Sequence, residues 1–134
     1  MKDIRELNFP EGVYYTEDHE WAQARDGIVR IGISDYAQDQ LGDIVFVELP
    51  GVGDSFKTGK AFGSVESVKA VSELNMPVGG EVMALNPALE GTPELVNQKP
   101  YTDGWMIEIK PADPAEIGNL LSRAAYLEKL KGES

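Results

Sequence analysis

The chain has 134 residues, a formal net charge of −11 from 23 acidic and 12 basic residues, and no cysteine. This length suits one domain with a substantial core, and the lack of cysteine excludes a disulfide framework and a thiolate metal site. The acidic charge argues against nucleic acid or an anionic membrane surface as a partner and favours basic protein surfaces.

The N-terminal segment predicts neither a leader nor a membrane anchor. Residues 1–7 lack the apolar core of a signal peptide, and their acids argue against a mitochondrial presequence. No run of about 18 apolar residues is present. We therefore expect a bacterial-type cytoplasmic protein, with a loose N-terminal arm over residues 1–11 and one domain over residues 12–134.

The first half of the domain reads as β-strands with one short helix. Alternating apolar residues and an Arg25-Asp26-Gly27 turn predict a half-buried hairpin with Val29, Ile31 and Ile33 on one face. Ser34 or Asp35 can cap a helix that runs through Leu41 and ends at Gly42. Strands are predicted at residues 13–16, 20–24, 28–33, 44–49 and 61–67.

The second half continues this pattern and ends in a helix. Returning strands are expected at residues 71–76, 81–86 and 105–110, with helical turns at 87–91 and 93–96. Alternation in the last strand places Trp105, Ile107 and Ile109 inward. Asp113-Pro114-Ala115-Glu116 predicts a helix start, and the apolar residues after it should pack on the sheet edge. These residues are Ile117, Leu120, Leu121, Ala124 and Leu127. The predicted fold is mainly β, a sandwich or barrel with short inserted helices and a C-terminal helix.

One lysine occupies an unusual setting. The run Gly63–Glu73 places Lys69 where the strand ending near Ser67 must reverse before Val71. A lysine that acts as a base or nucleophile needs a depressed pKa, whereas the flanking Glu66 and Glu73 favour its ammonium form. Lys69 is therefore interpreted as an attachment point. The alternative is an ordinary exposed lysine at a hairpin tip.

Other chemistry has little support. His19 is the only histidine, so neither a hydrolase triad nor a metal site has an evident set of partners, and a hydrogen-bonding role is the simpler interpretation. The glycines do not form a phosphate-binding loop, since Gly59-Lys60 precedes alanine. No pair of carboxylates stands out as an acid/base couple. We therefore predict a chain that is not an enzyme by itself.

Several ordered blocks resemble the glycine cleavage system H-protein family over roughly residues 13–130. The lysine run is the clearest of them. The others are His19-Glu20-Trp21, residues 32–38 and 41–50, Pro93-Glu94-Leu95-Val96-Asn97, Pro100-Tyr101 and Gly104-Trp105. The resemblance implies a lipoyl-type hybrid of barrel and sandwich, with lipoate in amide linkage on Lys69. It also implies that a lipoyl or octanoyl transferase or ligase recognises the turn residues Glu66, Ser67, Val68 and Ala70.

The resemblance further implies a carrier role in glycine catabolism and one-carbon metabolism. The tethered group acts as a swinging arm that takes an aminomethyl group from glycine decarboxylase (P protein). It delivers that group to aminomethyltransferase (T protein) and is reoxidised by dihydrolipoamide dehydrogenase (L protein). Glu20 and Glu73 match the acids associated with sheltering the amine, and Asp18, which stands where serine is common, is expected as a third shelter residue. The expected carrier is a monomer without a metal.

Alternative functions remain open at this point. An H-like lipoyl carrier of another pathway, such as sulfur trafficking, would share the lysine turn. A small lysine-dependent enzyme would need a depressed lysine pKa. The acceptor sequence of a biotin carrier resembles Met-Lys-Met, whereas Val68-Lys69-Ala70 contains no methionine. A purely structural β domain would leave the lysine turn unexplained.

Overall fold

The computed structural model describes residues 3–133, and nine strands in that range form two antiparallel sheets. The strands are β1 (Tyr14–Tyr15), β2 (Glu20–Arg25), β3 (Ile28–Ile33), β4 (Ile44–Glu48), β5 (Ser55–Phe56), β6 (Ala61–Ser67), β7 (Val71–Asn75), β8 (Gly80–Leu85) and β9 (Ile107–Pro111). The larger sheet has the order β1-β2-β3-β9-β8-β5, and the smaller one the order β4-β6-β7. The predicted mainly β fold with short helices is confirmed.

The same described residues also form four α-helices: α1 (Asp35–Leu41), α2 (Ala88–Gly91), α3 (Leu95–Gln98) and α4 (Arg123–Glu133). The start and end of α1 follow the prediction. The Ser34 side chain accepts a hydrogen bond from the Ala37 amide, and Gly42 terminates the helix at a positive φ of 81°. Within the described range 3–133, no helix is long and apolar enough to cross a membrane.

The two sheets face each other across one apolar core. Val29, Ile31 and Ile33 are buried on the face predicted from their alternation. They belong to the same buried cluster as Val65 and Leu74 of the smaller sheet. Gly63 permits a close approach between β4 and β6, because a Cβ there would lie 2.1 Å from the Glu48 carbonyl oxygen. The core therefore holds the β6–β7 hairpin firmly against the larger sheet.

The N-terminal arm is not loose in its described part. Leu7 and Phe9 are buried in a second apolar cluster with Tyr15 and Tyr126, and the Arg123 side chain donates a hydrogen bond to the Phe9 carbonyl. The free energy gained by burying two large apolar side chains is enough to hold this otherwise polar segment against the domain. The expectation of a loose tail is wrong for these residues. The domain boundary after residue 11 stays a prediction.

The C-terminal helix also differs from the prediction. The chain forms a 3₁₀ helix over Pro114–Asn119 and becomes extended at Leu120, and α4 begins only at Arg123. Tyr15 and Leu121 exchange two main-chain hydrogen bonds of 2.8 Å, which interrupts the helix. As a result Tyr126 and Leu130 of α4 are buried, whereas Ala124 is exposed. The expected packing of Ala124 is wrong.

Trp105 departs from the predicted strand as well. Ile107 and Ile109 are buried, as their alternation indicates, but β9 begins at Ile107. Trp105 is only half-buried, and the Arg30 guanidinium lies 4.8 Å from its ring centroid. Trp105 packs against the margin of the second apolar cluster and makes a cation–π contact with Arg30, so it lies at the edge of the core and not inside it as expected.

Candidate functional site

Lys69 lies at the tip of the β6–β7 hairpin, and the Ser67 side chain closes the turn beneath it. The Ser67 hydroxyl oxygen accepts hydrogen bonds of 3.1 Å from the amides of Lys69 and Ala70. The Ser67 amide in turn donates to the Ala70 carbonyl at 2.8 Å. Ser67 is buried, whereas Val68, Lys69 and Ala70 are exposed. The turn is therefore rigid in its backbone and leaves the lysine side chain accessible to solvent.

The link between α1 and β4 supports this turn from the side. The Val68 amide donates to the Asp43 carbonyl at 3.0 Å. The Lys69 side chain runs over Gly42, where an added Cβ would lie 3.2 Å from Lys69 Cε. A side chain at residue 42 would therefore press on the lysine, in addition to straining the positive φ.

Asn97 of α3 holds that link in place. Its Oδ1 accepts from the Ile44 amide at 2.8 Å, and its Nδ2 donates to the Gly42 carbonyl at 2.9 Å and to Gln38 Oε1 at 3.0 Å. The Asn97 side chain thus joins α1, the α1–β4 link and α3. The sequence block containing Asn97 indicated a family resemblance but no role, because a contact between residues 53 apart leaves no local pattern.

The support extends from α1 to the N-terminal arm. Gln38 Nε2 donates to Asp35 Oδ1 at 2.6 Å, and Asp35 Oδ2 accepts from the Asn8 amide at 2.7 Å. The Tyr101 hydroxyl accepts from the Asp35 amide at 2.9 Å. A continuous polar network therefore connects the arm with the loop beside Lys69.

Glu20 is the most unusual acid of the chain, because it is only 2% exposed. The Thr16 hydroxyl donates to its Oε1 at 2.8 Å, and the Asn75 amide donates to its Oε2 at 3.3 Å. The preceding His19 adopts a positive φ of 73°, which is uncommon for a residue with a side chain. This turn directs Glu20 toward the edge of β7. Glu20 therefore bridges the two sheets.

Burial raises the pKa of Glu20 to about 7. The hydrogen bonds from Thr16 and Asn75 lower it in part, and the nearby Asp18 charge raises it slightly. Glu20 is consequently divided between its acid and carboxylate forms near neutral pH. A cation placed beside it would favour the carboxylate.

A cleft of about 280 Å³ opens beside Glu20. Glu17, Asp18 and Glu20 line one part of it, and Met76 and Leu121 contribute apolar surface. None of the described residues that line it is Lys or Arg. The cleft therefore suits a small cation that carries an apolar stem.

Of the three predicted shelter residues, two lie together. Asp18 Oδ2 accepts from Asn75 Nδ2 at 3.4 Å, and Asn75 also contacts Glu20. Glu73 lies two residues before Asn75 on β7 and is exposed. Over residues 3–133, its carboxylate makes no hydrogen bond or ion pair. Whether Glu73 acts with Glu20 stays a prediction.

His19 has the hydrogen-bonding role expected of it. Its Nδ1 lies 2.9 Å from the Tyr126 hydroxyl, which also lies 2.7 Å from the Ser34 hydroxyl. Within residues 3–133, no group of His, Cys, Asp and Glu side chains is placed to hold a metal ion.

Comparison with known proteins places this arrangement in context. The sequence model described as "Glycine cleavage H-protein" matches residues 13–133. A glycine cleavage system H protein of Bacteroides fragilis is 51% identical over 120 residues, which cover 90% of this chain and 95% of the relative. One of Bacteroides thetaiotaomicron is 48% identical over 126 residues, covering 94% of this chain and 100% of the relative.

A solved structure agrees with these sequence matches. The crystal structure of a glycine cleavage system H protein from Mycobacterium marinum has a TM-score of 0.85 to this chain. Its sequence is 36% identical, and the match covers 92% of this chain and 99% of that one.

Glu20 predicts a specific pH dependence of stability. The pKa of Glu20 rises from 4.5 to about 7 on folding. Between pH 4.5 and 7, the folded state therefore keeps a proton on Glu20 that the unfolded state has lost. The free energy of unfolding therefore falls as pH rises from 4.5 to 7, by on the order of 3 kcal/mol from this group. In denaturant unfolding between pH 4.5 and 8, Glu20→Gln should flatten the curve. The exposed Glu81→Gln is the control, and an unchanged slope in Glu20→Gln would contradict the assignment.

Asn97 predicts a local effect on the lysine turn. Asn97→Ala leaves the Ile44 amide and Gly42 carbonyl without their partner and should lower the free energy of unfolding by about 1–3 kcal/mol. Hydrogen exchange of the Val68 amide should become about tenfold faster, since its acceptor Asp43 lies in the released link. The neighbouring exposed Gln98→Ala serves as the control. If the Val68 amide of Asn97→Ala exchanged at the wild-type rate, the supporting role of Asn97 would be disproved.

Proposed function

The chain belongs to the glycine cleavage H-protein family, and on this premise we propose that Lys69 is its lipoyl attachment site. Members of this family are non-catalytic lipoyl carriers of the glycine cleavage system, and this chain is such a carrier. Lipoate supplies a dithiolane on a flexible tether, which conveys the aminomethyl group between enzymes. The observation that carries the assignment is an exposed lysine on a hairpin turn that Ser67 keeps rigid.

The residues around Lys69 fit an amide-linked group. The Lys69 side chain is exposed and has no ion pair among residues 3–133, so an acylating enzyme can reach its amine. The small Gly42 and Ala70 leave room beside it. Amide formation removes the lysine charge, so the acylated side chain gains no strong attraction to the surrounding carboxylates.

We propose that the acylating enzyme, a lipoyl or octanoyl transferase or ligase, recognises the backbone and side chains of the turn. Ser67 sets the turn conformation, and the exposed Glu66, Val68 and Ala70 surround the lysine. A rigid turn lowers the entropy cost of entering a narrow active site. Recognition then depends on the shape of this hairpin as well as on the lysine itself.

The partners proposed for the acylated chain are glycine decarboxylase, aminomethyltransferase and dihydrolipoamide dehydrogenase. A tethered group reaches a high effective concentration at each active site without tight binding. A monomer in the bacterial cytoplasm suits successive visits to three enzymes, because each visit requires the same hairpin to be free. Both the monomeric state and the compartment are part of this proposal.

We propose the Glu20 cleft as the shelter for the cationic amine of the cargo. From Val71 to Asn75 the strand spans about 13 Å at 3.3 Å per residue. From the lysine Cα to the first ring carbon of the dithiolane, lysine and lipoate together form a chain of about eleven bonds of roughly 1.5 Å, which is long enough to cover this distance. Glu20 and Asp18 meet at Asn75, and Glu73 lies along the path as a further carboxylate. The amine would hold Glu20 in its charged form.

Lys69→Arg is expected to abolish acylation, because the guanidinium is not an amine that a ligase can acylate. After incubation with lipoate, ATP and a lipoate–protein ligase, intact mass should show one lipoyl increment on the wild type and none on Lys69→Arg. Lys60→Arg, which changes another exposed lysine, should retain the increment. An unmodified wild type under conditions that modify a known acceptor domain would refute the assignment.

Removal of the shelter carboxylates should expose the cargo. When the lipoylated wild type and variants are loaded by glycine decarboxylase with glycine, Glu20→Gln and Glu73→Gln are each expected to release ammonia several-fold faster than the wild type, because an ion pair with the amine is lost. Ammonia release after removal of the decarboxylase is the measurement, and Glu81→Gln is the matched control. Release at the wild-type rate in both variants would rule the shelter out.

A further inference from the structure

The Thr16 hydroxyl makes three hydrogen bonds at the edge of the Glu20 cleft. Its oxygen accepts from the Glu20 amide at 3.1 Å and from the Asp18 amide at 3.2 Å, and the hydroxyl donates to Glu20 Oε1 at 2.8 Å. The donated bond is the shortest of the three. One hydroxyl therefore holds the main chain of both acids and the side chain of one of them.

These three bonds use the full hydrogen-bonding capacity of the Thr16 hydroxyl. A threonine hydroxyl has one hydrogen to donate and two lone pairs that accept. Thr16 lines the cleft, but its hydroxyl has neither a hydrogen nor a lone pair left for a bound molecule. Any contribution of this hydroxyl to binding must therefore act through the acids that it holds.

The main chain of residues 16–20 closes around the same threonine. The Thr16 amide donates to the Glu20 carbonyl at 2.9 Å, and the His19 amide donates to the Thr16 carbonyl at 3.1 Å. The His19 side chain contacts the Tyr126 hydroxyl through its Nδ1 at 2.9 Å. The turn is thus fixed at both ends, and Glu20 enters β2 at a defined position relative to the Thr16 hydroxyl.

The Glu20 carboxylate is held unequally at its two oxygens. Oε1 receives the 2.8 Å bond from Thr16, whereas Oε2 receives a longer bond of 3.3 Å from the Asn75 amide. Each carboxylate oxygen offers about two acceptor positions, and a bond weakens as it lengthens. Oε2 is therefore the oxygen better able to accept a hydrogen bond from a further donor.

We propose that Thr16 is a positioning residue for the cargo, whose hydroxyl holds Glu20 Oε1 so that Oε2 is turned to the cationic amine. The inference rests on the shelter proposed for the Glu20 cleft. A buried carboxylate is stable only when it is paired and hydrogen-bonded. The fixed hydroxyl at one oxygen and the arriving amine at the other together meet this requirement, and Thr16 itself does not touch the cargo.

The charged groups around the cleft explain why a neutral donor is needed at Glu20. The acidic residues on the surrounding elements are Glu17, Asp18, Glu73 and Glu116. Lys57 and Lys60 flank the segment of the opposite wall, but both are exposed and neither lines the cleft. A basic side chain beside Glu20 would neutralise the charge that attracts the amine. The Thr16 hydroxyl orients the carboxylate and leaves its charge available.

Ammonia release from the lipoylated full-length chain, loaded by glycine decarboxylase with glycine, tests the proposal. Its first-order rate constant, measured after removal of the decarboxylase, does not depend on how much cargo was loaded. Thr16→Val removes the hydroxyl but keeps the branched shape and should release ammonia about fivefold faster than the wild type. Thr16→Ser keeps the hydroxyl and should stay within about twofold. Thr102→Val, a change of an exposed threonine outside the cleft, should match the wild type.

A double variant shows whether the effect of Thr16 passes through Glu20. In a Glu20→Gln chain, which has no charge to position, Thr16→Val should add no further acceleration of ammonia release. A general loosening of the cleft by Thr16→Val would instead accelerate release by the same factor in both backgrounds.

The titration of Glu20 in the unmodified chain gives a second, independent measurement. Because the Thr16 hydroxyl stabilises the charged carboxylate, Thr16→Val should raise the pKa of Glu20 by about one pH unit, as followed by the ¹³C shift of the labelled carboxyl. Thr16→Ser should leave this pKa near the wild-type value. A turn that merely loosened would admit water to Glu20 and lower its pKa, so the direction of the change separates the two explanations.

The outcomes distinguish this inference from the shelter itself. Wild-type release in Thr16→Val, together with faster release in Glu20→Gln, overturns the positioning role and leaves the shelter in place. Equal acceleration by Thr16→Val in both backgrounds, or an unchanged or lowered Glu20 pKa, also overturns the positioning role. Fivefold faster release in Thr16→Ser overturns it without depending on how well the valine variant folds. Wild-type release in Glu20→Gln overturns the role of Glu20 in the shelter and the positioning role together.

Discussion

The exposed position of Lys69 at the tip of the hairpin depends on hydrogen bonds to the Ser67 hydroxyl. It accepts hydrogen bonds from the amides of Lys69 and Ala70, so the two residues at the tip of the hairpin share one buried acceptor. Gly63 allows β4 to approach β6 closely near the base of the hairpin. Rigidity at the tip and freedom in the side chain beyond it are the two properties that a carrier needs.

The support for this turn is polar and is contributed by distant segments. Asn97 contacts Gln38, Gly42 and Ile44, and Asp35 links α1 to Asn8 of the arm. Hydrogen bonds are directional, so they define the position of a loop more narrowly than apolar packing does. The network therefore fixes the link beside Lys69, where a purely apolar contact would allow it to slide.

Glu20 represents a compromise between stability and function. A buried carboxyl with a raised pKa reduces the free energy of unfolding at neutral pH, and a non-ionisable residue at this position would avoid that loss. Its position beside Asp18, in a cleft lined by acidic and apolar residues, suits the binding of a cation proposed above. Charged groups that weaken a fold are typical of functional sites.

Much of the local structure could be predicted from the sequence. Alternation identified the buried face of β3, the Ser34 cap and Gly42 delimited α1, and strand and turn residues placed Lys69 at a reversal. These features depend on neighbours in the chain, and short-range periodicity and turn chemistry record them directly. The attachment role of Lys69 was an interpretation of the same local pattern.

The tertiary structure alone decided the remaining features. Burial of Leu7 and Phe9, the interruption of the last helix by the Tyr15–Leu121 bridge, and the contacts of Asn97 and Glu20 all join residues far apart in the chain. Such contacts arise from how the elements pack, and a polar arm or a single acid carries no periodic signal of its eventual partner. The sequence alone therefore determined that Lys69 lies at an exposed strand reversal. The packing of distant segments determined how firmly this turn is held and which residues surround it.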